Sequence, residues 1–241
     1  MGLQPDGDAP QTASIILTQP SAKPLPHKRI WKDRRLFTLA AGMALGLFAQ
    51  IGLLAHLFSL LVPALGAQLA GFAAGGATAA AILGRTLVGW LMPAGADRRL
   101  FGCGNSIVQI SGSLAFLLAA GDSVPLLLLG VVLFGAGIGN TTSLPPMIAQ
   151  AEFSKEDVSR VVPLIVATGQ ATYAFAPAAF GLIREFAPHW GAASSGAAPW
   201  LFLAAALFQA LAAVAFFLGC QRKPRWRRRL NDQAACRIPS A

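Results

Sequence analysis

Apolar residues run almost unbroken over six stretches, about 36–60, 66–92, 100–120, 124–147, 161–182 and 199–219, divided by short polar breaks. Each stretch is near the ~20 residues that a helix rising ~1.5 Å per residue needs to cross ~30 Å of hydrocarbon. The pattern predicts an all-α integral membrane protein, a six-transmembrane-helix bundle. The break Val62-Pro63-Ala64-Leu65-Gly66 is short and uncharged, so the first two helices are expected to form a tight antiparallel pair. Gly121-Asp122-Ser123 with Pro125 predicts the same for the third and fourth. The longest break, 183–198, carries Pro188, Gly191, Ser194, Ser195 and Gly196 and reads as a flexible loop.

Composition agrees: 55% of residues are hydrophobic and 12% charged, too little polar surface for a soluble domain of this size. Charge then orients the bundle. If the first span starts inside, both termini and the breaks near 93–99 and 148–160 face the cytoplasm. Lys23, Lys28, Arg29, Lys32, Arg34 and Arg35 precede the first span, Arg98, Arg99, Lys155 and Arg160 fill the inner breaks, and Arg222 to Arg229 with Arg237 form the tail. Of 19 Lys and Arg, only Arg184 falls outside, as the positive-inside rule requires of a multi-pass protein in the cell inner membrane. Trp31, Trp90 and Trp226 fall at the inner boundary and Trp190 and Trp200 at the outer one, the depth amphipathic rings prefer.

Three regions follow: a disordered cytoplasmic arm over 1–30, a transmembrane domain over 31–220, and a basic cytoplasmic tail over 221–241. The net charge of +9 raises a nucleic-acid reading for Arg225 to Arg229. The lipid bilayer is the simpler partner, since anionic headgroups attract a juxtamembrane basic segment by about 1 kcal/mol per residue; no nucleic-acid partner is expected. Cys103, Cys220 and Cys236 all fall in the membrane or on its reducing side, so no disulfide framework is implied.

Small residues recur at four-residue spacing in Gly42 and Gly46, Gly71 and Gly75, and Gly135 and Gly139, placing each pair on one helix face where another backbone can approach. Pro145-Pro146, Pro163 and Pro177 predict kinks or breaks. Polar side chains inside the spans are the candidate solute contacts, because each is costly in lipid without a partner or a cavity. They are Gln50, His56, Asn140, Gln170 and Tyr173, with Thr78 and Thr141 beside them. Gln170 and Tyr173 share a helix face, whereas Gln50 and His56 are about 120° apart. His56 either titrates with transport or is a neutral imidazole bonded to a carbonyl. Gln170 and Tyr173 either bind a carboxylate or tie two helices together. No serine-nucleophile motif, phosphate-binding loop or metal-ligand cluster is present, so neither an enzyme activity nor a cofactor is expected.

At the inner end of the second stretch the chain reads Gly84-Arg85-Thr86-Leu87-Val88-Gly89-Trp90-Leu91, then Asp97-Arg98-Arg99. This resembles the element G-R-x-x-x-G-x-L followed by D-R that marks the loop between the second and third helix of each half of the major facilitator superfamily. Asp97 follows Gly89 at a longer spacing than the family pattern has. The resemblance implies that spans one to six are similar to the C-terminal six-helix half, two inverted three-helix repeats, with the glycine-rich fourth span closest to carriers of the monocarboxylate and oxalate/formate type. It implies a conformational latch at Gly84, Arg85, Gly89, Asp97, Arg98 and Arg99, and secondary-active transport of a small anionic solute by alternating access. A single half further implies a homodimer or a separate six-helix partner, a truncated carrier, or a non-transporting accessory or scaffold protein that retains the fold.

Overall fold

The computed structural model describes residues 33–93, 96–186 and 198–220; the arm, the tail, Trp31, Trp190, Trp226 and Cys236 lie outside them, as does most of the predicted outer loop. The described residues form six helical elements and no strand: α1 (Arg34–Leu91), α2 (Arg98–Ala119), α3 (Val124–Glu152), α4 (Lys155–Tyr173), α5 (Ala176–Phe186) and α6 (Pro199–Gly219). Five stretches, with α4 and α5 counted together, are long and apolar enough to cross a membrane. The chain is an all-helical bundle of membrane-spanning composition.

Local chemistry sets the helix ends. Asp33, Asp97 and Ser154 each cap a following helix by accepting from the backbone N–H of Arg35, Arg99 and Asp157, one of the orphan donors of a first turn. Between α2 and α3 the chain turns through Ala120 (φ 49°) and Gly121 (φ 85°), with the Ala120 N–H bonded to Leu117 O.

α1 is 58 residues long, about 87 Å if straight, and it is not one rod. Gly66 takes φ 73°, ψ 163°, a conformation that suits glycine, three residues after Pro63. Before Gly66, Arg35 donates to Glu152 O and Gly46 faces Thr141. After it, Ala77 faces Gly135, Gly84 faces Ala136, and Arg85 donates to Gly139 O. The first limb therefore passes α3 from its C-terminal end towards its N-terminal end and the second limb returns, the antiparallel pairing expected from the Val62-to-Gly66 break.

Two expected boundaries move. The fourth stretch, predicted to stop at 147, continues as helix through Pro145 and Pro146 to Glu152, and the extension is held from α2, where Arg98 Nη1 donates to Met147 O at 2.6 Å. The fifth, predicted over 161–182, starts at Lys155 under the Ser154 cap and breaks at Ala174–Phe175. Pro177 has no N–H to offer the Tyr173 carbonyl, and its ring disfavours helical backbone just before it.

Two apolar clusters fill the bundle. Leu53, Leu57, Phe116, Phe134, Phe180 and Phe202 pack at the Gly66 end; Leu39, Met43, Leu144, Ile148, Val161 and Phe216 pack at the other. Close crossings use glycine: a Cβ at Gly42 would meet the Phe216 ring at 2.8 Å, and one at Gly135 would meet Ala77 O at 2.8 Å. Gly71 and Gly75 instead face open space. Large apolar side chains such as Phe72, Leu83, Trp90 and Phe175 point outward, the arrangement expected where hydrocarbon is the solvent.

Candidate functional site

Polar groups gather in three places, and the first is the end where α1 and α2 begin and α3 finishes. The Asp97 cap fixes the start of α2 and thereby Arg99, whose side chain is fully buried. Its Nε donates to Glu152 Oε1 at 2.6 Å and its Nη2 to Oε2 at 2.8 Å, a bidentate fork of the strong charge-assisted kind. Nη1 donates to Thr38 Oγ1 and Nη2 also to Arg35 O, each at 2.9 Å. α6 closes over this group: a Cβ at Gly219 would overlap the Arg99 guanidinium. Arg35 pairs with Asp33 at 2.8 Å and lies 5.1 Å from the Phe153 ring centroid.

Burial pushes the Asp33 carboxyl up, but hydrogen bonds from Arg35 and the charges of Arg35 and Arg99 outweigh it and hold the group below its ordinary 3.8. A lowered carboxyl pKa contributes stability that is complete above the ordinary value and is lost as pH falls through the folded one. Asp33→Asn should therefore lower stability near neutrality, where the ionised carboxylate contributes fully, and converge with the wild type below about pH 4, flattening the acid limb of the profile. A series of thermal melts from pH 3 to 7 checks this.

The second place is a groove of about 370 Å³ between the two limbs of α1 and α3, lined by Gln50, Thr78, Arg85, Thr86 and Thr142 among others. Gly84 brings the second limb against the Ala136 backbone, which sets Arg85 beside α3. There Nε and Nη2 donate to Gly139 O at 3.1 and 2.9 Å, and Nη2 to Thr142 Oγ1 at 3.2 Å. Among the described residues no carboxylate lies within ion-pair distance of Arg85.

The third is a chain of amides and hydroxyls through the middle of the bundle. Gln109 Nε2 donates to Gln50 Oε1 at 3.1 Å and to Thr141 Oγ1 at 3.3 Å. Asn105 Nδ2 donates to the same Thr141 hydroxyl at 3.2 Å, whose own O–H donates to Gly137 O at 3.1 Å. A methyl at Gly137 would overlap Gln109, so that glycine leaves room for the amide.

The sequence-predicted residues are thus distributed rather than gathered. Gln50 joins the groove to the amide chain; Asn140 is buried near the chain and donates to Ala136 O. His56 sits with Nε2 3.2 Å from Pro177 O, the carbonyl contact that was one of its two readings. Gln170 is exposed and Tyr173 half-buried, Tyr173 packing on the Phe216 cluster. Of the latch residues, Asp97, Arg98 and Arg99 come together at the charged end, Gly84 and Arg85 belong to the groove, and Gly89 faces open space.

Glu152, Thr38, Asn105, Gln109 and Gln209 were missed. Glu152 had a signal: it is the first carboxylate after the fourth stretch, on the same predicted side as Arg98 and Arg99. Gln109 and Gln209 had one too, each being an amide in the middle of an otherwise apolar or small-residue span. Compared with protein-family models, curated proteins and solved structures, the chain matches none.

Proposed function

We propose that this chain is a half-size or truncated secondary carrier that moves a small anionic solute across the membrane by alternating access, without covalent chemistry. One observation carries the reading: a guanidinium with no carboxylate partner among the described residues opens onto a groove whose largely apolar wall also carries one amide and three threonine side chains. A cation within a span is costly unless it meets an anion or a wet cavity, and a guanidinium fork matches a carboxylate. Gln50, Thr78, Thr86 and Thr142 line the same groove with amide and hydroxyl groups.

On this reading the two limbs of α1 count as two crossings and α4 with α5 as one, giving six in all with both termini cytoplasmic and the fold of one major facilitator half. The Arg99–Glu152 cluster then serves as the cytoplasmic latch that forms in one state and opens in the other. A second copy of the chain or a separate six-helix partner covers the groove.

The test is flux. Purified protein in liposomes, alone and with a supplied six-helix partner, is assayed for entry of labelled formate, oxalate and lactate, with Arg85→Gln and Arg85→Lys beside the wild type. Carrier activity with about a tenfold loss in Arg85→Gln, the scale of one charge-assisted hydrogen bond, supports the reading. A folded bundle that moves none of these anions in either setting overturns it. That result favours the accessory reading, to which the bare faces of Gly71 and Gly75 are suited, since they can receive a partner helix.

A further inference from the structure

At the centre of the bundle, where the first limb of α1, α2, α3 and α6 meet, lies a cavity of about 10 Å³, at the lower limit of room for one water. Gln109, Gln209, Asn140 and Thr141 contribute to its wall. Gln209 is fully buried, and neither its Oε1 nor its Nε2 has a hydrogen-bond partner. Gln109 is also fully buried; its Nε2 is used twice while its Oε1 has no partner.

We propose that this cavity is a binding site for a single water molecule that joins α6 to the central amide chain. The unpartnered amide atoms of the two glutamines that line it define what fits. Two acceptors, Gln209 Oε1 and Gln109 Oε1, and one donor, Gln209 Nε2, require a ligand that donates twice and accepts once. A metal cation satisfies the two oxygens but leaves the N–H facing a positive charge. An anion satisfies the N–H and repels both oxygens. Water meets all three, and three hydrogen bonds is the usual number for a buried water. A primary amide can hold one water through its C=O and N–H together, so a single molecule can bond both Gln209 atoms and still reach Gln109.

The site gives α6 its polar tie to the chain that runs through Gln109 to Gln50 at the groove. Apart from it, α6 meets this region through a weak bond from Cys103 Sγ to Ala213 O at 3.4 Å and through apolar contacts such as Phe216 against Gly42 and Gly102.

Two measurements on the full chain in detergent or lipid test the proposal. A structure resolving ordered solvent should show one water within about 3.2 Å of both Gln209 and Gln109. Absent density, or density with shorter contacts to oxygen atoms alone, overturns it. Gln209→Met keeps the length of the side chain and removes both amide atoms. If a water satisfies the amide, the variant should melt about 2–6 °C lower than wild type. If the amide is unsatisfied, removing it should raise the melting temperature instead, and that result overturns the proposal. Melts in sodium chloride and in choline chloride should coincide; a rise specific to sodium marks a cation site and also overturns it. Should Gln209→Met fail to fold, the solvent density decides alone.

Discussion

Glu152→Ala should destabilise the bundle by about 3–5 kcal/mol, because it strips the carboxylate from a guanidinium that has no access to solvent. Arg99 keeps its bonds to Thr38 Oγ1 and Arg35 O, but neither acceptor carries the charge that offsets burial of the cation. The pair is also the point where α1, α2 and α3 meet under the last residue of α6, so the loss is felt by four elements. Two comparisons isolate the cause. Glu152→Gln retains an acceptor and should cost less. Arg99→Met with Glu152→Ala removes both charges and should recover part of the loss, because an apolar replacement of a buried pair is often neutral. Unfolding followed by far-ultraviolet circular dichroism in mixed micelles measures all three. If Glu152→Ala unfolds like the wild type, the bidentate pair is not a structural anchor. The cost should vary little with salt, since a buried pair is screened far less than an exposed one.

The second large effect concerns helix crossing. Gly84→Ala should destabilise by about 1–3 kcal/mol, although alanine is by itself the better helix former by about 1 kcal/mol. The new Cβ would overlap the Ala136 carbonyl oxygen and approach that residue's Cα at 2.9 Å. All of these are backbone atoms, so no rotamer change relieves the clash and the second limb must move off α3. Gly139 is packed the same way from the other side, 2.6 Å from Ala81 O by the same construction. Gly75→Ala is the control. Nothing lies within 4 Å of its Cβ position, so helix propensity alone acts and stability should rise by up to about 1 kcal/mol. Opposite signs for the two substitutions in parallel melts would establish which glycines carry the crossings. A loss at Gly75 as well would mean that another helix covers that face.

Much of the fold was legible in the apolar pattern. In a bilayer every backbone group must be satisfied within its own helix, so a long apolar run leaves few alternatives to a helix. The turn at Val62-to-Gly66 and the break before Pro177 were readable for equally local reasons. Boundaries set by tertiary contacts were not: α3 outlasts Pro145-Pro146 through a side chain from α2, which no local signal reports.

The site was harder. Arg85 was singled out by its family-like motif, but its place in the groove depends on Gly84 lying against Ala136, a contact 52 residues away in the chain. Arg99 was expected at a latch, yet its carboxylate partner lies at the end of another helix. The amide chain escaped notice because Gln109 and Gln209 look like isolated polar interruptions until the packing of α2 and α6 brings them inward. The paired glycines show the same limit. Spacing puts two of them on one face, but only the assembled bundle tells Gly135 and Gly139, which are in contact, from Gly71 and Gly75, which are bare.

The corner at Gly66 constrains how the protein can work. A single non-helical residue joins the arm that carries Gln50 to the arm that carries Arg85, so a displacement of either reaches the other along the chain through that one point. Helix is interrupted again at Ala174–Phe175, between α4 and α5, a second place where the backbone can bend without breaking a helix.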